Sequence, residues 1–178
     1  MGKRDGISDQ DRVFITAQHL FFVATAPRRG RINLSPKGLD SLRVLSPTRV
    51  CWLNLTGSGN ETAAHLLDDG RMTLMFCAFS GPPNILRLYG TARAVHPGEA
   101  EWDALSGLFP ETPGARQVID MAVDRVQTSC GYSVPLMDYV KDREILTDWA
   151  DKQGPEGVKQ YWEKHNRESV DGLPTGMD

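Results

Sequence analysis

Apolar and polar positions along this chain change period repeatedly, and the two-residue period of a strand dominates its first 130 residues. Leu20-Phe-Phe-Val-Ala-Thr-Ala-Pro27 is rich in aromatic and β-branched types and predicts a strand over 19–26. Arg31 to Ser35 alternates, with Ile32 and Leu34 on one face and Asn33 and Ser35 on the other. Further strands are expected at 41–46, 49–55, 71–79 and 85–95, the last two as an antiparallel hairpin around Ser80-Gly-Pro-Pro-Asn84. Residues 123–130 predict a final strand.

Helical spacing appears between and after these runs. Ser8-Asp-Gln-Asp11 matches a capping box and opens a helix to about Gln18, with Val13, Phe14 and Ala17 on one face. Asn60 to Asp69 reads as a helix with Ala63, Ala64, Leu66 and Leu67 inward and Gly70 as its stop. Pro97 opens another, with Glu99 and Glu101 in its first turn, and residues 114–122 predict one more. Two helices follow at 144–152 and 157–165. Their apolar faces are Ile145, Leu146 and Trp149, then Val158, Tyr161 and Trp162. From Glu168 the chain is polar with Gly and Pro, and an extended or loosely ordered arm is expected.

Short strands with few helices between them predict a mostly β, α+β architecture. The form expected is a small antiparallel barrel of six or more strands with helices at its ends and at the C-terminus. Alternating βαβ units are absent, which disfavours a doubly wound dinucleotide fold. The 178 residues suit one domain, 1–178, with the barrel at about 13–135 and a helical arm at about 141–178. Forty per cent are hydrophobic and 24% charged, ordinary for a globular protein. A net charge of −3 leaves no excess of Lys and Arg for a polyanion, so nucleic acid is not expected as a partner. No apolar run approaches a bilayer's thickness and Met1-Gly-Lys-Arg-Asp-Gly6 lacks an apolar leader, so no membrane partner and a cytoplasmic location are expected. Cys51, Cys77 and Cys130 are odd in number and far apart, which argues against a disulfide framework or a zinc site. Cys51 and Cys77 read as buried hydrophobes.

Two polar loops carry the candidate chemistry. Gly30-Arg-Ile-Asn-Leu-Ser-Pro-Lys-Gly38 offers the Lys37 ammonium beside a glycine that lets a ligand approach the backbone. Alone, Lys37 would read as a solvated lysine in a turn. Thr56-Gly-Ser-Gly-Asn-Glu-Thr62 supplies the second half: hydroxyls and an amide running straight into a helix N-terminus, whose free N–H groups attract an anion. Asn60 or Ser58 can also serve there as an ordinary cap. Glu61 would repel a phosphate if it pointed inward, and is expected to face solvent. The loop lacks the spacing of a nucleoside-triphosphate P-loop. The four histidines, His19, His65, His96 and His165, form no catalytic grouping.

These blocks, with Val50-Cys-Trp-Leu-Asn-Leu55, Leu74-Met-Phe76 and Leu86-Arg-Leu-Tyr-Gly-Thr-Ala-Arg93, resemble the pyridoxamine 5′-phosphate oxidase-like split-barrel flavoproteins over about residues 13–135. The ending Trp149 to Pro174 is similar to the tail of one uncharacterised branch. The resemblance implies FMN bound in a groove between the two protomers of a homodimer. Lys37, Asn60 and Thr62, with Thr56, would serve the phosphate. Ser35 and Pro36, with Trp52 or Asn54, would lie near the ring system. Cys130 and Tyr132 would reach it from the partner chain, or Cys130 is simply buried at a turn. Pyridoxamine phosphate oxidases proper carry an Arg-x-x-x-Leu-Lys strand and a C-terminal Arg-x-His. Here Ser35-Pro36 stands between Arg31 and Lys37, and the tail reads Glu163-Lys-His-Asn-Arg167. FMN binding is therefore better supported than that particular oxidation.

The leading expectation is an FMN-dependent oxidoreductase acting on an undetermined small molecule, its chemistry borne by the cofactor. The alternative is a non-catalytic protein that holds a flavin or another cofactor. Haem would need an axial ligand, for which His165 is the only candidate, and a deazaflavin would want a more basic groove.

Overall fold

The computed structural model describes residues 2–177. Eight strands are present: β1 (Lys3–Arg4), β2 (Phe21–Thr25), β3 (Asn33–Lys37), β4 (Leu42–Ser46), β5 (Arg49–Leu55), β6 (Arg71–Cys77), β7 (Ile85–Val95) and β8 (Ala115–Ser129). Four helices accompany them: α1 (Asp9–Thr16), α2 (Glu61–Asp68), α3 (Trp102–Ser106) and α4 (Ile145–His165). Seven strands form one antiparallel sheet in the order β3-β2-β6-β7-β8-β5-β4, and β1 adds to β8.

β3 and β4 are consecutive in the chain yet lie at opposite edges of this order. Only residues 38–41 join them, so five Cα steps, about 18 Å at full stretch, must link the two edges. The sheet meets that limit by curling, and it remains unclosed: this is the split barrel that the family resemblance implies. β8 is its spine. One side of β8 pairs with β7 from Val118↔Val95 to Ser129↔Ile85. The other side pairs first with β5 and then, at Val126 and Gln127, with β1.

Residues 114–122 are thus strand rather than helix. The run Arg-Gln-Val-Ile-Asp-Met places apolar side chains on both faces: Val118 enters an outer cluster with Cys51, Leu53, Leu105 and Phe109, while Ile119 and Met121 enter the barrel core. A strand covered on both sides loses the alternation that would identify it. β5 is covered in the same way, with Val50 and Trp52 inside and Cys51 and Leu53 outside. In the barrel core Phe21 packs edge-on against Trp52 and stacks with Phe76. Cys51 and Cys77 are buried and Cys130 is exposed; burial pushes the Cys51 thiol up to about 11.

The capping box forms: Asp11 N–H donates to Ser8 Oγ at 3.1 Å, and Ser8 N–H to Asp11 Oδ2 at 2.9 Å. Asp11 also takes Arg4 Nη2 at 2.6 Å, tying β1 to α1. α4 combines the two predicted C-terminal helices across a break at Gly154, whose φ of 67° suits glycine, with Pro155 restarting the helix. Trp149 and Tyr161 meet edge-on across that break at 5.0 Å. Ile145, expected on the apolar face, is exposed. The segment after α4 is ordered. A bridge pairs Glu168 with Pro174, Ser169 Oγ accepts from the N–H groups of Asp171 and Leu173, and Thr175 is fully buried.

Gly90 is the tightest point of the sheet. It faces β8 at a register shift, and a Cβ there would stand 1.9 Å from the Ala122 carbonyl oxygen. Gly90→Ala is expected to destabilise the fold by about 3 kcal/mol in urea denaturation, since backbone rather than a flexible side chain blocks the methyl. A loss under about 1 kcal/mol would contradict this close approach.

Candidate functional site

A cleft of about 550 Å³ opens at one mouth of the barrel. The period of β3 turns Asn33, Ser35 and Lys37 towards it, while Leu34 and Pro36 are exposed on the other face. β5 contributes Asn54, and the turn after it contributes Gly57 to Asn60. Glu61 and Thr62 of α2, Arg116 of β8, His165 and residues 168–170 complete the lining.

α2 points its N-terminus at this space. Asn60 stands at the N-cap but makes no side-chain cap bond. Its amide is instead exchanged with that of Gln117, at 3.3 and 2.9 Å, beneath the floor of the cleft. The first N–H groups of the helix are therefore uncapped by any side chain and face the cleft. Thr62 Oγ1 accepts from Asn33 Nδ2 at 3.3 Å, joining helix to strand.

Two cations share the site. Lys37 has no hydrogen-bond or ion-pair partner among the described residues. Desolvation, and then the nearby Arg116 charge, lower its pKa from 10.5 to about 8. Arg116 is 3% exposed. Its Nη1 donates to the Gly59 carbonyl at 3.0 Å and to Asn166 Oδ1 at 2.5 Å, and its Nε is buried without a partner. Desolvation lowers it to about 10, so it stays charged at neutral pH. Among the described residues no carboxylate pairs with either group. Ser35 Oγ is a second orphaned polar atom in the same wall.

Glu61, expected to face solvent, does not. Its carboxylate accepts from the Val170 N–H at 3.0 and 3.2 Å and stands 4.0 Å from His65 Nε2. His65 is buried, with Nδ1 against Thr25 Oγ1 at 3.0 Å. The tail is bound to the rim at other points too: Asp171 accepts from Arg31, and Asn60 Nδ2 meets the Met177 sulfur at 3.3 Å.

The structure thus brings Ser35, Lys37, Asn54, Asn60 and Thr62 to one cleft and places five other candidates elsewhere. Pro36 lies on the opposite face of β3. Trp52 shares its face of β5 with Asn54 but sits one pleat deeper, fully buried in the core. Thr56 is occupied: its hydroxyl donates to the Gly114 carbonyl at 2.9 Å and accepts from Trp162 Nε1 at 2.7 Å. Cys130 and Tyr132, the latter 81% exposed, follow the far end of β8 from Arg116 and do not reach this protomer's cleft. Arg116 was hidden from sequence reasoning by the helical reading of 114–122. Asn33 was assigned only to a strand face, although its alternation with Ser35 was visible.

A second, larger groove of about 1110 Å³ runs along α4, walled by Pro113, Val158 and Trp162, and Arg116 borders both spaces. His165 lies against Tyr161, ring centroids 4.6 Å apart. No group of three or more His, Cys, Asp or Glu could hold a metal ion, and no helix is long and apolar enough to cross a membrane, among the described residues.

A family model described as pyridoxamine 5′-phosphate oxidase matches residues 7–130. The Aspergillus flavus protein named pyridoxamine 5′-phosphate oxidase family protein ustO is 40% identical over 189 residues, covering 96% of this chain and 76% of that one. HupZ of Group A Streptococcus shares the fold with a TM-score of 0.55 at 21% identity, over 74% of this chain and 99% of that one. A Lactobacillus delbrueckii structure described as of the pyridoxamine 5′-phosphate oxidase type gives 0.56 at 18% identity, over 71% and 99%. The family model spans nearly all the strands and the fungal relative extends the likeness through the tail: the chain belongs to the pyridoxamine 5′-phosphate oxidase family.

Proposed function

We propose that the cleft holds the phosphate of FMN and that the protein is a cytoplasmic, homodimeric flavin-dependent oxidoreductase acting on a small molecule. The observation that carries this reading is a buried guanidinium and a desolvated ammonium with no carboxylate partner among the described residues, set before an uncapped helix N-terminus. Uncompensated buried charge is costly, and a bound anion offsets that cost. The residues fit a phosphate monoester. Lys37 supplies a point charge, Arg116 its free Nε edge, α2 its first N–H groups, and Thr62 and Ser58 their hydroxyls. Ser35, Asn33 and Asn54 offer polar contacts to the rest of the ligand.

The flavin, when bound, supplies transfer of a hydride or of electrons. The chain's own work is to position it and to exclude water. Lys37, the desolvated amine of the cleft, is assigned to holding the phosphate rather than to proton transfer, which agrees with that division. A twofold partner would deliver Cys130 and Tyr132, which are exposed here, to the open side of the cleft. It would also cover the apolar surface of Leu34 on the edge strand and of Ile32 just before it, 64% and 77% exposed.

An absorption spectrum of the purified protein, with mass spectrometry of the heat-released supernatant, tests the reading. FMN is the expected product. A colourless protein that ignores added FMN would sink the proposal, and a monomer by light scattering would remove the shared site. Lys37→Met and Arg116→Met are each expected to weaken FMN about tenfold to a hundredfold while leaving riboflavin affinity nearly unchanged, as for loss of one charge-assisted contact.

The lowered Lys37 pKa sets a pH dependence. Below about pH 8 the amine is charged and attracts the phosphate; above it the charge is lost, so FMN affinity should fall as pH rises through about 8. Conversely, binding near pH 8.5, roughly midway in the titration, should take up a proton, measurable by calorimetry in buffers of different ionisation enthalpy. In the ligand-free protein the unfolded chain binds the extra proton between about 8 and 10.5, so this lysine makes stability rise with pH across that window. Lys37→Met should abolish both effects.

A further inference from the structure

We infer that Asn166, in the tail beyond the family-matched segment, is a positioning residue that fixes Arg116 without neutralising it and so sets the cleft's preference for a phosphorylated ligand. The inference rests on the proposed phosphate site and deepens it.

Asn166 is fully buried at the C-cap of α4. Every polar group it owns is committed. Its N–H donates to the Trp162 carbonyl at 2.8 Å and its own carbonyl accepts from Thr175 Oγ1 at 2.6 Å. Oδ1 accepts from Arg116 Nη1 at 2.5 Å, and Nδ2 donates to the Gly57 carbonyl at 3.1 Å. The amide orientation follows from the partners, because a guanidinium only donates and a carbonyl only accepts. The position therefore demands one acceptor and one donor with no net charge. An aspartate would satisfy Arg116 but neutralise it, and would set oxygen against the Gly57 carbonyl. An aliphatic residue would orphan both partners.

The geometry also decides which edge of the guanidinium is left over. Asn166 and Gly59 both hold Nη1, while Nε has no partner. The Nε side is an edge that can present two parallel N–H groups to an oxyanion. Because the same amide holds Gly57, it ties this edge to the loop that carries the α2 N-terminus. The cation and the free N–H groups are thereby fixed relative to each other.

The test uses the full chain, freed of bound flavin, as wild type, Asn166→Asp, Arg116→Met and the double variant. FMN and riboflavin are titrated by flavin fluorescence, and inorganic phosphate by its effect on Tm. Asn166→Asp is expected to cut the FMN-over-riboflavin preference by at least about tenfold, towards that of Arg116→Met, with riboflavin affinity within about twofold of wild type. The double variant should lose no more, since both changes act through one group. Equal loss of both flavins would reduce Asn166 to scaffolding of the tail and overturn the inference, as would an unchanged preference. Should wild type bind neither flavin, the flavin reading fails, and phosphate decides alone. Protection of wild type but not of Asn166→Asp sustains the inference; equal protection of both, or of neither, overturns it. If Asn166→Asp does not fold, Asn166→Ala takes its place under the same criteria.

Discussion

A connection of four residues between the two edges of one sheet governs this molecule. Residues 38–41 cannot span a flat sheet seven strands wide, so the sheet must curl until β3 and β4 approach each other. The curl encloses Trp52, Phe21 and Phe76 as a core and leaves a mouth where Asn54 and Gln117 end the apolar interior. β8 makes the curl possible. It is long enough to hold β7 along one side while dividing its other side between β5 and β1, and the backbone contact at Gly90 lets β7 follow its bend.

The mouth is where the fold gives up stability. A barrel whose only demand was a packed core would have no use for a desolvated lysine beside a buried arginine, neither paired with a carboxylate among the described residues. Hydrogen bonds to Gly59 and Asn166 soften that cost without cancelling the charge. The carboxylate closest in sequence, Glu61, sits at the very helix end that attracts anions. It is drawn aside by the Val170 N–H and faces His65, which leaves the helix N-terminus open. Two of the orphaned buried polar atoms, Arg116 Nε and Ser35 Oγ, belong to residues of this cleft, and the proposed anion would account for the first.

Much of this was legible in the residues. Ile85–Val95 was bounded to the residue because Pro82-Pro83 and Pro97 flank an alternating run, and Ser8 with Asp11 announced the first helix. The loop 56–62 leads into a helix start at Asn60 and Glu61, as its spacing indicates. The helical reading of 114–122 failed because of two-sided burial. Arg-Gln-Val-Ile-Asp-Met carries no alternation to separate strand from helix, and the misreading took Arg116 with it. Trp52 and Asn54 share a face, and depth along a barrel, which no period encodes, separates a core residue from a cleft residue. The ordering of the tail was invisible for a different reason. Its groups bond to partners more than a hundred positions away, the Val170 N–H to Glu61 and the Asp171 carboxylate to Arg31, so local composition suggested looseness where long-range contacts impose order.

The position of the tail also has a consequence for how the protein is made. Synthesis delivers β1 to β8 well before α4 and Asn166. The curled sheet is therefore complete in sequence while Arg116 still lacks its amide partner and Glu61 its backbone donor. Domains fold as units behind the advancing ribosome, N-terminal parts first. Whatever the order in which the strands pair, the mouth stays unfinished until α4 and the tail have docked. A ligand of the proposed kind would therefore meet its complete site only after the tail has docked.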